Sequence, residues 1–474
     1  MRVGKMRGTA ALTVALMVTV AAAPGAAAQQ EKQEPTSMAT PPPLEPNWPL
    51  PTGIAPDTNY EIKTQCISSL DKGVDLKNKP WGQQQLRFDE LHKFSTGTDI
   101  LVGVIDTGVK PHPYFQDRIK GGGDLVKGGD GLEDCDGHGT EVAGIIAAKP
   151  PVENGIGFKG IAPDARILSI RQTSTNYQGR RPNATQDHGA GSVESLAQAV
   201  VHAANQGVRV LNMSVDSCRP VSNGGITAAE KNLQAALRYA FKDKDVVLVA
   251  SAGNSGENSC PDATNGSDPN NPTHLVTPPW FSEYVLSVGA TDRNGDPAPF
   301  SVQGPWVSVA APGTEIISLD PAAGSDGLAN LQVLKDGNKV PIQGTSFAAP
   351  YVAGLAALIR ERHKTLNAQQ VMDRIKITAS HPAAPGGRDN LVGHGVINPI
   401  GALTATIPSE HGIAADSPLD VQLDLPPAVE TNWLPMRVAV IGSSAGVVAL
   451  LLTLFIVRTV RRNNGDTPEP RGSA

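Results

Sequence analysis

From Ile100 to Thr378 the chain alternates short, uniformly apolar runs of strand type with longer runs of helical type. The strand-like runs are Ile100–Ile105, Arg166–Ile170, Val208–Val215, Val246–Ala250, Val285–Val288 and Val307–Ala310. The helical ones are His138–Ala148, Ser192–Gln206, Ala228–Phe241, Ser346–His363 and Ala368–Thr378. A strand without polar alternation has both faces covered, and strands separated by helices return in parallel. The pattern predicts an α/β fold in three layers, a mainly parallel sheet between helices. With 474 residues there is room for one large domain or two smaller ones. Only 4% of residues are aromatic, against 49 glycines and 39 prolines. The core is therefore built from Ala, Val, Ile and Leu, with many turns and some unpacked Pro-rich segments.

In such sheets ligands bind at the carboxyl ends of the strands. Asp106-Thr107-Gly108 follows the first strand run directly, and His138-Gly139-Thr140 opens a helical run. Gly344-Thr345-Ser346-Phe347-Ala348-Ala349-Pro350 opens another. Acyl transfer needs a nucleophile, a base to take its proton and a carboxylate to orient that base. Ser346, His138 and Asp106 supply these three types. A fourth element, Asp245 to Gly256, is a buried-type strand entering a Gly-rich turn that carries Asn254. The tetrahedral intermediate of acyl transfer needs a preorganised donor. Asn254 can give one N–H, and the backbone of Ser346, at a helix start, another. In the order Asp, His, Asn, Ser, these motifs resemble those of the subtilisin-like serine proteases.

The two ends read as membrane signals. Residues 1–28 are a signal peptide, with Arg2, Lys5 and Arg7 before the apolar Ala10–Ala22 and a small-residue cleavage site at Ala26-Ala27-Ala28. Val438–Val457 is 20 residues without a charge, a helix of about 30 Å that matches a bilayer core. Arg458, Arg461 and Arg462 follow it, placing the tail in the cytoplasm by the positive-inside rule and the domain outside. Gly442 and Gly446 give the span a small-residue face for a partner helix. The net charge of −6, with no long basic run in the soluble part, excludes nucleic acid as an expected partner. Four cysteines in an exported domain make two disulfides in one of three pairings. Cys218 and Cys260 follow runs that neighbour in the sheet, which pairs them and leaves Cys66 for Cys135. No C-x-x-C spacing marks the cysteines as a metal-binding set.

Signal peptide, Pro-rich extension with a cysteine, subtilisin-like core and single C-terminal span together resemble the mycosins, membrane-anchored proteases of mycobacterial and related type VII (ESX) secretion systems. The resemblance divides the chain into the signal peptide, an extension (29–85) wrapping the domain, a peptidase domain (86–403), a Pro-rich linker (404–432), a transmembrane helix (433–458) and a cytoplasmic tail (459–474). It implies that Asp106 orients, His138 is base and acid, Ser346 is the nucleophile and Asn254 completes the oxyanion hole. Ser214, Val215 and Asp216, with Ser251, Ala252 and Gly253, would flank the substrate pocket. Partners would be protein or peptide substrates and the membrane components of the secretion system, with no cofactor beyond the structural calcium that is usual in many subtilisins and is not legible in this sequence. The acidic stretch Asp130, Glu133, Asp134 and Asp136 has no calcium-loop spacing and reads as a solvated turn. Glu141 stands where many relatives have a second histidine, a structural difference only. Residues 172–191, 255–279 and 319–341 read as loop insertions. Two functions follow: an endopeptidase that processes exported proteins, or a structural part of the secretion complex with dispensable catalysis.

Overall fold

A computed structural model describes residues 38–67, 76–152, 155–180, 185–256, 270–333, 338–413 and 433–463, with Cys260, Asn265 and Asp268. The expected signal peptide, residues 414–432 of the linker and the tail beyond Asn463 lie outside the described residues. The chain divides into two units, the first ending at Ile413.

The first unit is built on a sheet of seven strands: β1 (Leu101–Asp106), β2 (Ile119–Asp124), β3 (Arg166–Arg171), β4 (Val210–Met213), β5 (Val247–Ser251), β6 (Val285–Thr291) and β7 (Val307–Pro312). Their order is β7-β6-β5-β4-β1-β3-β2, and every neighbouring pair is parallel. Strands β4 to β7 are buried along their whole length, which is why their sequences lack alternation. The chain passes from β3 on one side of β1 to β4 on the other. That reversal opens a crevice at the carboxyl ends, where ligands bind in sheets of this kind.

The helices are α1 (His138–Ala147), α2 (Val193–Asn205), α3 (Ala228–Arg238), α4 (Thr345–Arg362) and α5 (Ala368–Thr378). Capping boxes start three of them: Ser192 with Ser195, Thr227 with Glu230, and Asn367 with Gln370. Each satisfies N–H groups that the first turn leaves open. Helix α4 is buried from Thr345 to Arg360 and packs against α1 and the strands β4 to β7.

Four sequence expectations change. Strand β2 was not expected, because Ile119-Lys120-Gly121-Gly122-Gly123-Asp124 contains little that favours a strand. Glycine is needed there: a Cβ on Gly121 would lie 2.6 Å from the Asp130 carbonyl oxygen. The three insertions also carry strands. Ser174–Gly179 pairs with His188–Ala190, His274–Thr277 with Ser217–Pro220, and the third insertion forms two small hairpins. The domain does not end at 403. Arg374 Nε donates to Glu410 Oε1 at 2.7 Å and Nη1 to the carbonyls of Ala402 and Ala405, so residues 404–413 belong to the packed unit. The acidic stretch is not a solvated turn at Asp134, which is 1% exposed.

The described part of the extension lies against the domain with little regular structure. Trp280 Nε1 donates to the Met38 carbonyl, Gln234 to that of Pro42, and Trp48 Nε1 to Asn232. Glu61–Ile62 then adds a strand to Ser174–Gly179, and Cys66 is joined to Cys135. The second disulfide joins Cys218 to Cys260. Both pairs are those expected from the sequence. In the second unit, α6 (Leu434–Asn463) is 30 residues long, with a mean hydropathy of 2.5 in its most apolar window, enough to cross a membrane.

Candidate active site

Asp106 is the last residue of β1 and is fully buried. His138 is the first residue of α1, and its Nδ1 lies 2.7 Å from Asp106 Oδ1. The same carboxylate oxygen accepts the Thr107 backbone N–H at 2.7 Å. Thirty-two residues of chain separate the pair, so strand end and helix start must meet closely. They meet at Gly139, where a Cβ would lie 2.0 Å from the Gly108 carbonyl oxygen. Only glycine permits that approach. Thr107 Oγ1 accepts the Gly139 N–H at 2.9 Å, closing the two motifs on each other.

Burial alone disfavours a charged His138, but the Asp106 charge and hydrogen bond, with Glu141 and Asp134 behind them, outweigh it. The imidazole is pushed up to about 9. Glu141, 2% exposed, is pushed up to about 8, chiefly by burial, and its carboxyl bonds the side chain of Gln332. This residue is more than the structural difference read from the sequence: it sits within the electrostatic reach of the imidazole.

Ser346 is the second residue of α4 and is 8% exposed. Its neighbour Phe347 packs on the His138 ring at 5.1 Å between centroids, bringing the two motifs together. Pro350, four residues on, has no N–H, so the Ser346 carbonyl lacks its usual helical donor. Ser214 Oγ fills that place at 2.8 Å, and Asn212 Nδ2 donates to Ser214 Oγ at 2.9 Å. The Ser214 side chain therefore holds the start of α4, a role the sequence reading did not give it. Asn254 Oδ1 accepts from the backbone N–H and hydroxyl of Thr345 at 2.9 and 3.0 Å. With its oxygen so fixed, the amide nitrogen is oriented beside Gly344 at the helix start.

Of the other expected pocket residues, Ser251, Ala252 and Gly253 are buried at the end of β5, and the Gly253 N–H donates to Thr345 Oγ1. Val215 and Asp216, past the end of β4, are half-buried. The acidic stretch is divided among different partners. Asp130 caps its own turn at Leu132, Glu133 accepts from Tyr177, Asp136 from Thr175, and Asp134 points inward. Among the described residues no group of three or more His, Cys, Asp or Glu side chains is arranged to hold a metal ion. Sequence reasoning missed Asp134, because it lies four residues before the helix start at His138 and not at the cap position itself, which Gly137 occupies.

Chemically, a buried carboxylate on an imidazole, a serine at a helix N-terminus and an oriented amide can generate and stabilise a tetrahedral adduct. A profile of the subtilase family matches residues 97–395. Mycosin-1 of Mycobacterium tuberculosis (strain ATCC 25618 / H37Rv) is 42% identical over 444 residues, 90% of this chain and 95% of that protein. The structure of the serine protease MycP1, described as an essential component of the type VII (ESX-1) secretion system, is similar at a TM-score of 0.70. It is 40% identical and covers 77% of this chain and 100% of that one. A chain of the intact ESX-5 inner membrane complex is similar at a TM-score of 0.72 and 36% identity, covering 89% of this chain and 100% of its own.

Proposed function

This chain belongs to the subtilase family and within it to the mycosins, and from that premise we propose that Asp106, His138 and Ser346 are its catalytic triad, on a domain held outside the cytoplasmic membrane within a type VII secretion machine. The chain is a serine endopeptidase. The observation that carries the triad assignment is the 2.7 Å contact of His138 with buried Asp106, at the point where Phe347 brings in the start of the Ser346 helix.

In this reading His138 Nε2 takes the Ser346 proton as the hydroxyl oxygen attacks the scissile carbonyl carbon. The carbonyl π-electrons move to oxygen, and that oxyanion is met by the Asn254 amide and the Ser346 backbone N–H. Imidazolium then gives its proton to the leaving amine as the C–N bond breaks. Water repeats the cycle on the acyl-enzyme, with His138 again the base. Asp106 keeps Nδ1 protonated and stabilises the imidazolium without taking the proton itself. Ser214, Val215, Asp216, Ser251, Ala252 and Gly253 would border the substrate, the first through its backbone. No metal or other cofactor is assigned to this cycle.

Helix α6, which carries Arg461 and Arg462 in its last turn, supports a single span with the tail inside. The similarity to a chain of the ESX-5 inner membrane complex supports membership of such an assembly. The same similarity favours the second reading, a structural part of the complex with dispensable catalysis, which a triad alone would not suggest. A secreted-proteome comparison of wild type, Ser346→Ala and a deletion strain separates the two. Processing lost in both variants with export lost only in the deletion means both roles are filled. Intact processing in Ser346→Ala would remove the catalytic assignment.

A further inference from the structure

Helix α1 begins at His138 with Gly137 as its N-cap, and no side chain at the cap position accepts from the first turn. The N–H groups there need acceptors from elsewhere. All of them found at the cap and third position come from one residue. Asp134 Oδ1 accepts the Gly137 N–H at 2.7 Å, and Oδ2 accepts the Thr140 N–H at 2.9 Å and the Thr140 hydroxyl at 2.6 Å. A fourth donor comes from the other motif: the Thr107 hydroxyl reaches Asp134 Oδ1 at 2.9 Å.

We propose that Asp134 is a positioning residue whose buried carboxylate locks the Asp106 turn to the first turn of the His138 helix and so sets the contact between those two side chains. The inference rests on the triad assigned above. Only an ionised carboxylate offers acceptors to four donors at once, and two of these flank each of its oxygens. Its negative charge also suits the helix N-terminus. Burial opposes that charge and pushes the acid up to about 6, while the hydrogen bonds from Thr140, Gly137 and Thr107 favour ionisation. The charged or titratable groups around His138 are Asp106, Glu141 and Asp134. The adjoining residues anchor the same loop outward: Cys135 to the extension through Cys66, and Asp136 to the backbone and hydroxyl of Thr175. Asp134 is the one of the three that faces the catalytic pair.

The test uses the detergent-solubilised full chain, with p-nitrophenyl acetate as the acylating probe and thermal unfolding recorded for each variant. Asp134→Asn keeps the volume but puts an amide N–H against two donors. Loosened alignment should lower kcat roughly 10–100-fold with KM within about twofold. Losing a negative charge near His138 should also move the acid limb of kcat/KM to lower pH. Wild-type kcat with an unmoved acid limb would overturn the proposal. So would a loss that only tracks the folded fraction. If Asp134→Asn does not fold, Thr140→Ser and Thr140→Val decide, since the first retains the hydroxyl donor and the second removes it. A severalfold fall in kcat for valine alone supports the lock, and equal rates for the two overturn it. Ser346→Ala run alongside separates the layers. Residual turnover there faults the triad, whereas an inactive Ser346→Ala beside a wild-type-like Asp134→Asn faults only this inference.

Discussion

The two halves of the site are held by different physics. On the Asp106–His138 side the elements are short and the contacts polar: a strand end and a helix start joined through Thr107, Asp134 and Gly139, with a disulfide beside them. On the Ser346 side the anchor is α4, a helix buried over sixteen successive residues from Thr345 to Arg360, with a few bonds from Ser214 and Asn254 at its start. Hydrogen bonds depend on distance and protonation state, whereas packing depends on volume. The first half is therefore the one that single atoms and pH disturb, and the second the one that tolerates loss of a small polar group without moving.

The largest effect expected sits in the packed half. Ser346→Ala should lower peptide hydrolysis by about 10⁶-fold while leaving the unfolding temperature unchanged, since alanine suits a helix start. A clear drop in that temperature would show that the hydroxyl also supports α4 and would blur the contrast.

Next, Asn254→Ala should cost about 10²–10³ in kcat, with residual activity from the Ser346 N–H. Thr345 loses the acceptor of its two donors, but the burial of α4 should keep the helix start in place. Comparing it with Asn254→Asp, which keeps the acceptors but loses the donor, distinguishes these roles. Equal kcat for alanine and wild type would leave the oxyanion without this donor.

In the latched half, replacing Cys66 and Cys135 together by serine should destabilise the domain by about 2–4 kcal/mol, measured by denaturant unfolding. Activity at low denaturant should fall before global unfolding, because the released loop carries Asp134. Coincident loss of structure and activity would mean that the disulfide acts on the fold as a whole.

The smallest effect is a shift in pH. His138 must be neutral to accept a proton, and Asp106 raises its pKa above the ordinary histidine value. The acid limb of kcat/KM should accordingly lie above pH 6.5. A charged Glu141 contributes to that elevation, so Glu141→Gln should move the limb down, by less than one unit, with kcat within about threefold. An unmoved limb would confine Glu141 to its bond with Gln332.

Much of this arrangement was legible before the fold was known. The apolar runs predicted six of the seven sheet strands, and Asp106, His138, Asn254 and Ser346 were marked by motifs at strand ends and helix starts. Those signals are local. Strand β2 escaped notice because its glycines answer to the neighbouring Asp130 backbone and not to strand propensity. The boundary at 403 fell short because the later residues are fastened by tertiary contacts, among them Arg374 with the Ala405 carbonyl and Glu410, and by burial of Ile407. Asp134 looked like one of four surface acids, and nothing nearby in the sequence said which one turned inward.

The sequence by itself determined the parallel α/β class, the identity and order of the four chemical groups, the two cysteine pairs and an apolar segment long enough for a bilayer. Each depends on residue type and spacing over a few turns or strands. Only the tertiary structure decided which hydroxyls and carboxylates brace that chemistry. Thr107 meets Asp134 across 27 residues and Ser214 meets the Ser346 carbonyl across 132. Hydrogen bonds over such separations exist only after the sheet has brought strand ends and helix starts together.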